Sequence, residues 1–366
     1  MQTTEKITGV ELGLLQFTFV VSTIILTIPG VIADFADQAA WLSVFPAILS
    51  GLFSILVMTA LANRYPGLTI IQYSSKIIGT IPGKLLGLYY IYFWFMSISI
   101  MTTQHNMFIN TFLLPMTPWI IGSLTILTVC ALIVYKGIEV LARCNGFLTP
   151  LILLFLIPLL LLAARDADPG HLKPIIGHGF LPILQGAVGP TGAFTNQIFI
   201  LGWLLPYLNQ PKKAFKVSLF ALFGISALIL TTILVTIMVL GPLSGKLTYS
   251  FLTVIQYVGF EGSLERLEAL AVSMWVTGTF VKLSVSLFIL SISVSQLFGI
   301  DNYRDILIPL TLLCIVGSIW VFGNSAELMN YLTYIYPIGG FLTQSLVPLA
   351  LLIIDIVKRK TRSSRL

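Results

Sequence analysis

The chain has little charge. Only 9% of its 366 residues are Asp, Glu, Lys or Arg, against 57% hydrophobic residues and a mean hydropathy of +0.98. A soluble domain carries about 25% charged residues, so these figures exclude one and point to a polytopic membrane protein. Cysteine is scarce as well. Cys130, Cys144 and Cys314 lie apart, in or beside apolar runs, and their spacing suggests no zinc site, disulfide framework or redox pair. The histidines His105, His171 and His178 complete no metal pattern with them. No nucleophile or metal set accompanies the carboxylates, so a membrane-embedded enzyme is not expected, and neither is a cofactor or a bound metal. Long polar loops are also missing. That leaves no separate soluble domain, and no nucleic-acid partner is expected.

What the chain has instead is apolar runs. Stretches of about twenty residues, enough to cross a bilayer, fall near 10–33, 41–62, 84–112, 118–135, 141–164, 181–207, 215–241, 267–297, 305–322 and 329–357. Residues 1–366 therefore read as one transmembrane domain of about ten helices. An even number puts both termini on one side of the bilayer. The basic tail KRKTRSSRL makes that side the cytoplasm by the positive-inside rule. Lys6, Arg64, Lys76, Lys84, Lys136, Arg143, Lys212, Lys213, Lys216 and Arg304 fall on the same side, while the other side holds Arg165, Lys173, Lys246 and Arg266. A cleaved signal peptide is the alternative for the first run. Glu11 ahead of it and the lack of a small-residue cleavage site oppose that reading.

Two spans are interrupted. The first reads FVVSTIILTIPGVIADF, with Pro29-Gly30 late and Ser22, Thr23 and Thr27 before it. The sixth holds Gly186, Gly189, Pro190 and Gly192. Proline removes a donor, glycine favours non-helical geometry, and lipid cannot satisfy the freed groups. Such breaks persist where they line a cavity. Their positions, five helices apart, point to a 5+5 inverted repeat with the binding site at the breaks; ordinary kinks are the plainer alternative. Residues 68–79 read as a short amphipathic helix on the inner surface. The outer loop 165–180 reads as a solvated connection despite its Asp and His residues.

One residue stands out within a span. The run VSMWVTGTFVKLSVSLFILS at 272–291 carries Lys282 at its middle, where a lysine costs roughly 2.5–3.5 kcal/mol on insertion scales. Trp275, Thr279, Lys282 and Ser286 recur at intervals of four, three and four and so share one helix face.

Several stretches together resemble the B subunit of bacterial spore germinant receptors, the spore germination permease family of the amino acid–polyamine–organocation superfamily. They are QAAWLSVFPA at 38–47, RYPGLTIIQYSSKIIGTIPGKLLGLYYIYF at 64–93, LLPMTPW at 113–119, KGIEVLARCNGFLTP at 136–150, LPYLNQPKKA at 205–214 and LERLEALAVSMWVTGTFVKLSVSLF at 264–288. The likeness runs nearly end to end. It implies an all-α, amino-acid-transporter-like fold that senses nutrients in the inner membrane of the spore. It also implies a complex with a membrane A subunit and a lipoprotein C subunit. The germinant would be a small nutrient, often an L-amino acid. The chain departs from the family in two places: Ser22-Thr23-Ile24-Ile25 stands where transporter relatives often have glycines, and Asn196-Gln197 where many members have Gly-Glu. An amide only hydrogen-bonds, which weakens ion coupling at that position.

The expected site combines both lines of reasoning. Unwound backbone can bind a carboxylate and an ammonium, which selects Ser22, Thr23 and Thr27 in the first span and Phe194, Thr195 and Asn196 in the sixth. Each hydroxyl can instead bond back to its own helix. The resemblance turns Phe93 and Ser97 of the third span toward the ligand, although an aromatic at helical spacing is usually core packing. Gln104, His105 and Asn106 are expected near the outer interface, bonded to a neighbouring helix. The resemblance also sets the eighth span, with Thr279 and Lys282, against the first. Lys282 then has three roles open to it: a structural charge on backbone carbonyls, a cation in the place sodium fills in coupled relatives, or a contact to the ligand carboxylate. Glu261, Glu265, Arg266 and Glu268 read as a salt-bridge cluster at the outer mouth, facing a partner subunit, or as an exposed cap. The leading function is a germinant-sensing receptor subunit. The runner-up is an amino-acid permease without a germination role.

Overall fold

Within hydrocarbon every backbone N–H and C=O must find a partner inside the protein, so apolar runs of this length become helices. A computed structural model describes residues 5–177, 179–258 and 267–363, without the side chains of Thr23, Ala193, Thr195, Asn196, Gln197, Ser325, Arg362 and Ser363. His178, Glu261, Glu265 and Arg266 lie outside the described residues. The described chain is helical nearly throughout. In order it forms α1 (Gly9–Ile24), α2 (Ile28–Ala36), α3 (Val44–Arg64), α4 (Ile70–Ile78), α5 (Thr80–Phe112), α6 (Trp119–Lys136), α7 (Ile138–Ala163), α8 (Leu181–Gly186) and α9 (Val188–Phe199). There follow α10 (Leu201–Leu204), α11 (Ala214–Leu240), α12 (Ser250–Tyr257), α13 (Leu267–Phe298), α14 (Leu307–Trp320), α15 (Ser325–Asn330), α16 (Tyr336–Phe341) and α17 (Val347–Ser363). Among the described residues, eight stretches are long and apolar enough to cross a membrane.

The interruptions fall where the sequence placed them, with two differences. In the first span the helix stops at Ile24 and resumes at Ile28, so the break precedes Pro29-Gly30. Pro29 occupies the first turn of α2, where a missing N–H is harmless. Gly30 serves close packing: a Cβ there would meet the Leu247 carbonyl oxygen at 2.4 Å. The sixth span slips at Ala187 and Ile200, both in helical backbone, and its break is therefore shallower than four Gly and Pro residues suggest. The last of the ten apolar runs read from sequence, the tenth span, carries a feature not anticipated there. Two π-helical turns, Tyr331–Ile335 and Leu342–Leu346, flank Tyr336–Phe341.

The α13 helix is the axis of the bundle. It packs on α1, α5, α6 and α7, and its apolar window is 78% buried, far more than in the other seven membrane-length stretches. The described N-terminal and C-terminal segments meet on one face of the bundle. There Lys6 and Tyr65 line the same surface depression, and the Tyr65 hydroxyl donates to Asp355 near the C-terminus. The N-terminal segment is stitched into this face: Ile7 exchanges backbone hydrogen bonds with Tyr207 (2.9 Å) and Asn209 (3.0 Å). On the opposite face, the loop after α7 is held by the Asp168 N–H bond to Met238 O and the Gln38 side-chain bond to Pro174 O, both 3.0 Å. His171 Nδ1 also lies 2.8 Å from Met238 O. That loop is a pinned, exposed connection.

Candidate functional site

The site follows from the break in α1. Ending a helix at Ile24 and starting another at Ile28 leaves a turn that cannot pack as tightly as a continuous helix. A cavity of about 130 Å³ opens beside it. Ile24, Thr27, Ile28 and Val31 form one wall, and Ser97, Ile100, Met101 and Gln104 of α5 face them. Lys282 of α13 and Gly189 of α9 contribute single residues, and the tenth span closes the remaining side with Met329, Leu332, Thr333, Tyr336 and Pro337.

Three of the expected residues therefore meet here: Thr27, Ser97 and Lys282. Lys282 is only 8% exposed. Its ammonium nitrogen lies 5.1 Å from the centre of the Phe19 ring, a cation–π distance. A methylene stem of this length lets the head group reach the cavity while the backbone stays in the helix core.

Other expected residues lie elsewhere. Ser22 is buried on the α13 side of α1, where a Cβ at Gly278 would stand 2.3 Å from its Cβ. Its Oγ and the Thr279 Oγ1 are buried and have no hydrogen-bond partner among the described residues. Phe93 and Phe194 pack away from the cavity lining. Phe93 meets Trp94 and Phe199 edge-on, at 5.6 and 5.9 Å, within an aromatic cluster that includes Trp203 and Tyr90. Phe194 is fully buried in the core. The side chains of Thr23, Thr195 and Asn196 lie outside those described. On the α13 face, Ser286 takes the back-bonding role, donating to the Lys282 carbonyl at 2.9 Å.

The trio in α5 divides its tasks. Asn106 bonds the neighbouring helix, donating to Ser123 Oγ at 2.7 Å and to Trp119 O at 3.1 Å. His105 stacks on Trp275, with ring centres 5.6 Å apart and planes 5° from parallel. Gln104, expected at a helix interface, instead lines the cavity. Its seven-residue spacing from Ser97 puts both on one helix face, which was the available clue. The tenth-span wall had no such clue, because its contribution depends on how that span leans against α9. Among the described residues, no three His, Cys, Asp or Glu side chains gather as a metal set.

Comparison with known proteins gives this geometry its context. The family described as spore germination protein, a spore permease, matches residues 6–325. The chain is 28% identical over 358 residues to spore germination protein KB of Bacillus subtilis (strain 168), covering 96% of this chain and 95% of that one. Among solved structures, the fold is similar to that of MhsT in complex with L-phenylalanine. That match has a TM-score of 0.66 at 12% identity and covers 94% of this chain and 98% of the other. It is similar too to a nucleobase-cation-symport-1 family transporter in a closed conformation with bromovinylhydantoin bound. There the TM-score is 0.63 at 14% identity, over 93% of this chain and 79% of the other. Family and fold are those of permease-like membrane proteins, and no enzyme family is indicated. With the match running through nearly all of the apolar spans, the chain belongs to the spore germination protein family of multi-pass membrane proteins.

Proposed function

We propose that this protein is the nutrient-sensing subunit of a spore germinant receptor in the inner membrane of the spore, and that it binds a small germinant, an amino acid, in the cavity beside the α1 break. The single observation that carries this reading is the cavity itself. It joins a broken helix, the buried face of α13 and the tenth span within a chain whose family acts in germination. Ligand bound there contacts walls from five separate spans and so favours one arrangement of them over others. A membrane A subunit and a lipoprotein C subunit are the proposed partners that read the change. Thr27, Ser97 and Lys282 are the proposed contacts; Ser22 and Thr279 support the α1–α13 seam from behind.

The test is germination of spores carrying Ser97→Leu, offered single nutrients. The added side chain fills part of a cavity of about 130 Å³, so the response to the cognate nutrient should fall while receptor abundance in the spore membrane stays normal. An unchanged nutrient profile would remove the cavity from the mechanism.

A second reading, an amino-acid permease without a germination role, draws support from the likeness to solved transporters. Purified chain in proteoliposomes separates the two. Accumulation of labelled amino acid, together with normal germination of a deletion strain, favours the permease.

A further inference from the structure

The far end of the tenth span carries a second feature, apart from the cavity. Its apolar run stops at Val357, and Lys358, Arg359 and Lys360 follow at once. An apolar run giving way to clustered cations marks the boundary between bilayer and water. Beside this end lies α4, an amphipathic helix that buries Ile70, Ile71, Tyr73, Ser74 and Ile77 and leaves Lys76 exposed. An open groove of about 830 Å³ runs between α4 and α17, with Lys76, Lys358 and Arg359 on its lining. Asp355 is the only carboxylate among the described lining residues. It is already matched, since it accepts from Arg64, Tyr65 and Arg359. Three lining cations against one carboxylate leave two positive charges in excess.

Two of these cations are held in place. Lys358 Nζ donates to Ile77 O at 2.6 Å, which spends one of its three protons and sets the ammonium between α17 and α4. Arg359 donates from Nε to Asp355 and from Nη2 to Arg64 O at 3.4 Å, and its guanidinium lies 5.4 Å from the centre of the Tyr65 ring. Three of its five N–H groups remain for a ligand. Lys76 adds an exposed ammonium from the α4 side. Toward the bilayer the surface turns apolar: Val357 lines the groove, and Ile353 and Ile354, one turn back on the same face of α17, are exposed. A soluble anion would match the cations alone. A lipid with an anionic headgroup matches both the cations and the aliphatic surface beneath them.

We propose that the groove between α4 and α17 is a binding site for the headgroup of an anionic phospholipid. Lys76, Lys358 and Arg359 donate to the phosphate oxygens, and the acyl chains lie over Val357, Ile353 and Ile354. A zwitterionic phospholipid presents the same phosphate, but its ammonium group meets a groove that already holds excess positive charge. The site therefore selects by net charge. A bound headgroup bridges α4 and α17 and ties down the end of the span whose other turns wall the cavity.

Purified full-length chain in detergent provides the test, titrated with phosphatidylglycerol or phosphatidylcholine and read by thermal stabilisation. Phosphatidylglycerol should bind at least about tenfold more tightly than phosphatidylcholine. Lys76→Gln combined with Lys358→Gln should lose most of that preference, and Arg359→Ala should lose part of it. Should the double variant not fold, Arg359→Ala carries the comparison. Lys212→Gln combined with Lys213→Gln removes the same charge from the same face outside the groove and should keep the preference. Inorganic phosphate should give no shift. Equal affinity for the two lipids would overturn the site. An equal loss in the Lys212 and Lys213 variant would overturn it too, by tracing the effect to the charge of the whole face. Stabilisation by phosphate alone would make the ligand a soluble anion and overturn the lipid assignment.

Discussion

Gly278 lies directly against Ser22, so closely that a Cβ at 278 would stand 2.3 Å from the Ser22 Cβ and 3.0 Å from its Cα. Real Cβ atoms do not approach this near, so the α1–α13 seam exists only because position 278 has no side chain. Small residues at such crossings let helix backbones approach where lipid supplies no hydrophobic drive. Gly278→Ala should force α1 and α13 apart and lower stability by about 1–3 kcal/mol, the range for overpacking a tight interior. Because the same seam backs the α1 break, the germinant response should fall with it. Thermal unfolding of purified variant and wild type measures the first effect; equal melting temperatures would mean that the helices part without cost.

Asp355 gathers three donors near the C-terminus. Arg64 reaches it at 2.7 Å, the Tyr65 hydroxyl at 2.5 Å and Arg359 at 3.1 Å, while the carboxylate is only 5% exposed. Lys358 adds a bond to Ile77 O at 2.6 Å, tying the tail to α4. Truncating the acceptor strands several donors at once, whereas removing one partly exposed arginine strands none. Asp355→Ala should cost about 1–3 kcal/mol and expose the basic tail to trypsin. Arg359→Ala, at an exposed partner, should leave stability nearly unchanged. Limited proteolysis alongside thermal unfolding checks both, and the reverse ranking would contradict the hub.

Glu5 caps the start of α7 across the bundle. Its carboxylate accepts from the Ile138 N–H at 2.9 Å and from Arg304 at 2.6 Å, and Arg304 also donates to Tyr135 O at 2.8 Å. Glu5→Ala should cost about 0.5–2 kcal/mol, the range for losing a helix cap. Glu5→Gln, which keeps an acceptor, should recover much of that loss. If Gln and Ala variants are equally unstable, the charge rather than the cap holds the N-terminal segment in place.

Asn106 joins α5 to α6 through Ser123, and the link continues from Ser123 to Ser318 of α14 at 2.8 Å. Interhelical hydrogen bonds in membranes average about 0.6 kcal/mol and reach about 1.7 kcal/mol. Asn106→Ala should therefore lower stability modestly, within that range, and leave the germinant response intact. A lost response at normal stability would place this bond in the signalling path.

Much of the fold is legible in the sequence. The order of apolar runs, the interruptions in the first and sixth spans and the anomaly of Lys282 all follow from composition and spacing. Lys282 does line a cavity beside the α1 break, as does Thr27. Phe93 and Ser97 show where legibility ends. They share a helix face four residues apart, yet Ser97 lines the cavity and Phe93 joins the aromatic cluster around Trp94 and Phe199. Periodicity assigns residues to a face about 100° wide, and a cavity edge can pass through it. Gln104 departs from its expected helix interface for a related reason: an amide suits a helix interface and a cavity wall equally.

By itself the sequence determined a membrane-embedded helical bundle, because hydrocarbon accepts only backbone whose hydrogen bonds close internally. It determined as well where that regularity fails, since proline and glycine act through local geometry. Tertiary structure alone decided that the α1 break precedes Pro29 and that the tenth span forms a wall. It also decided that Lys282, Ser97 and Gln104 line one cavity. Those facts depend on how helices lean and on the register in which they pair, and both are set by packing between residues remote in the chain.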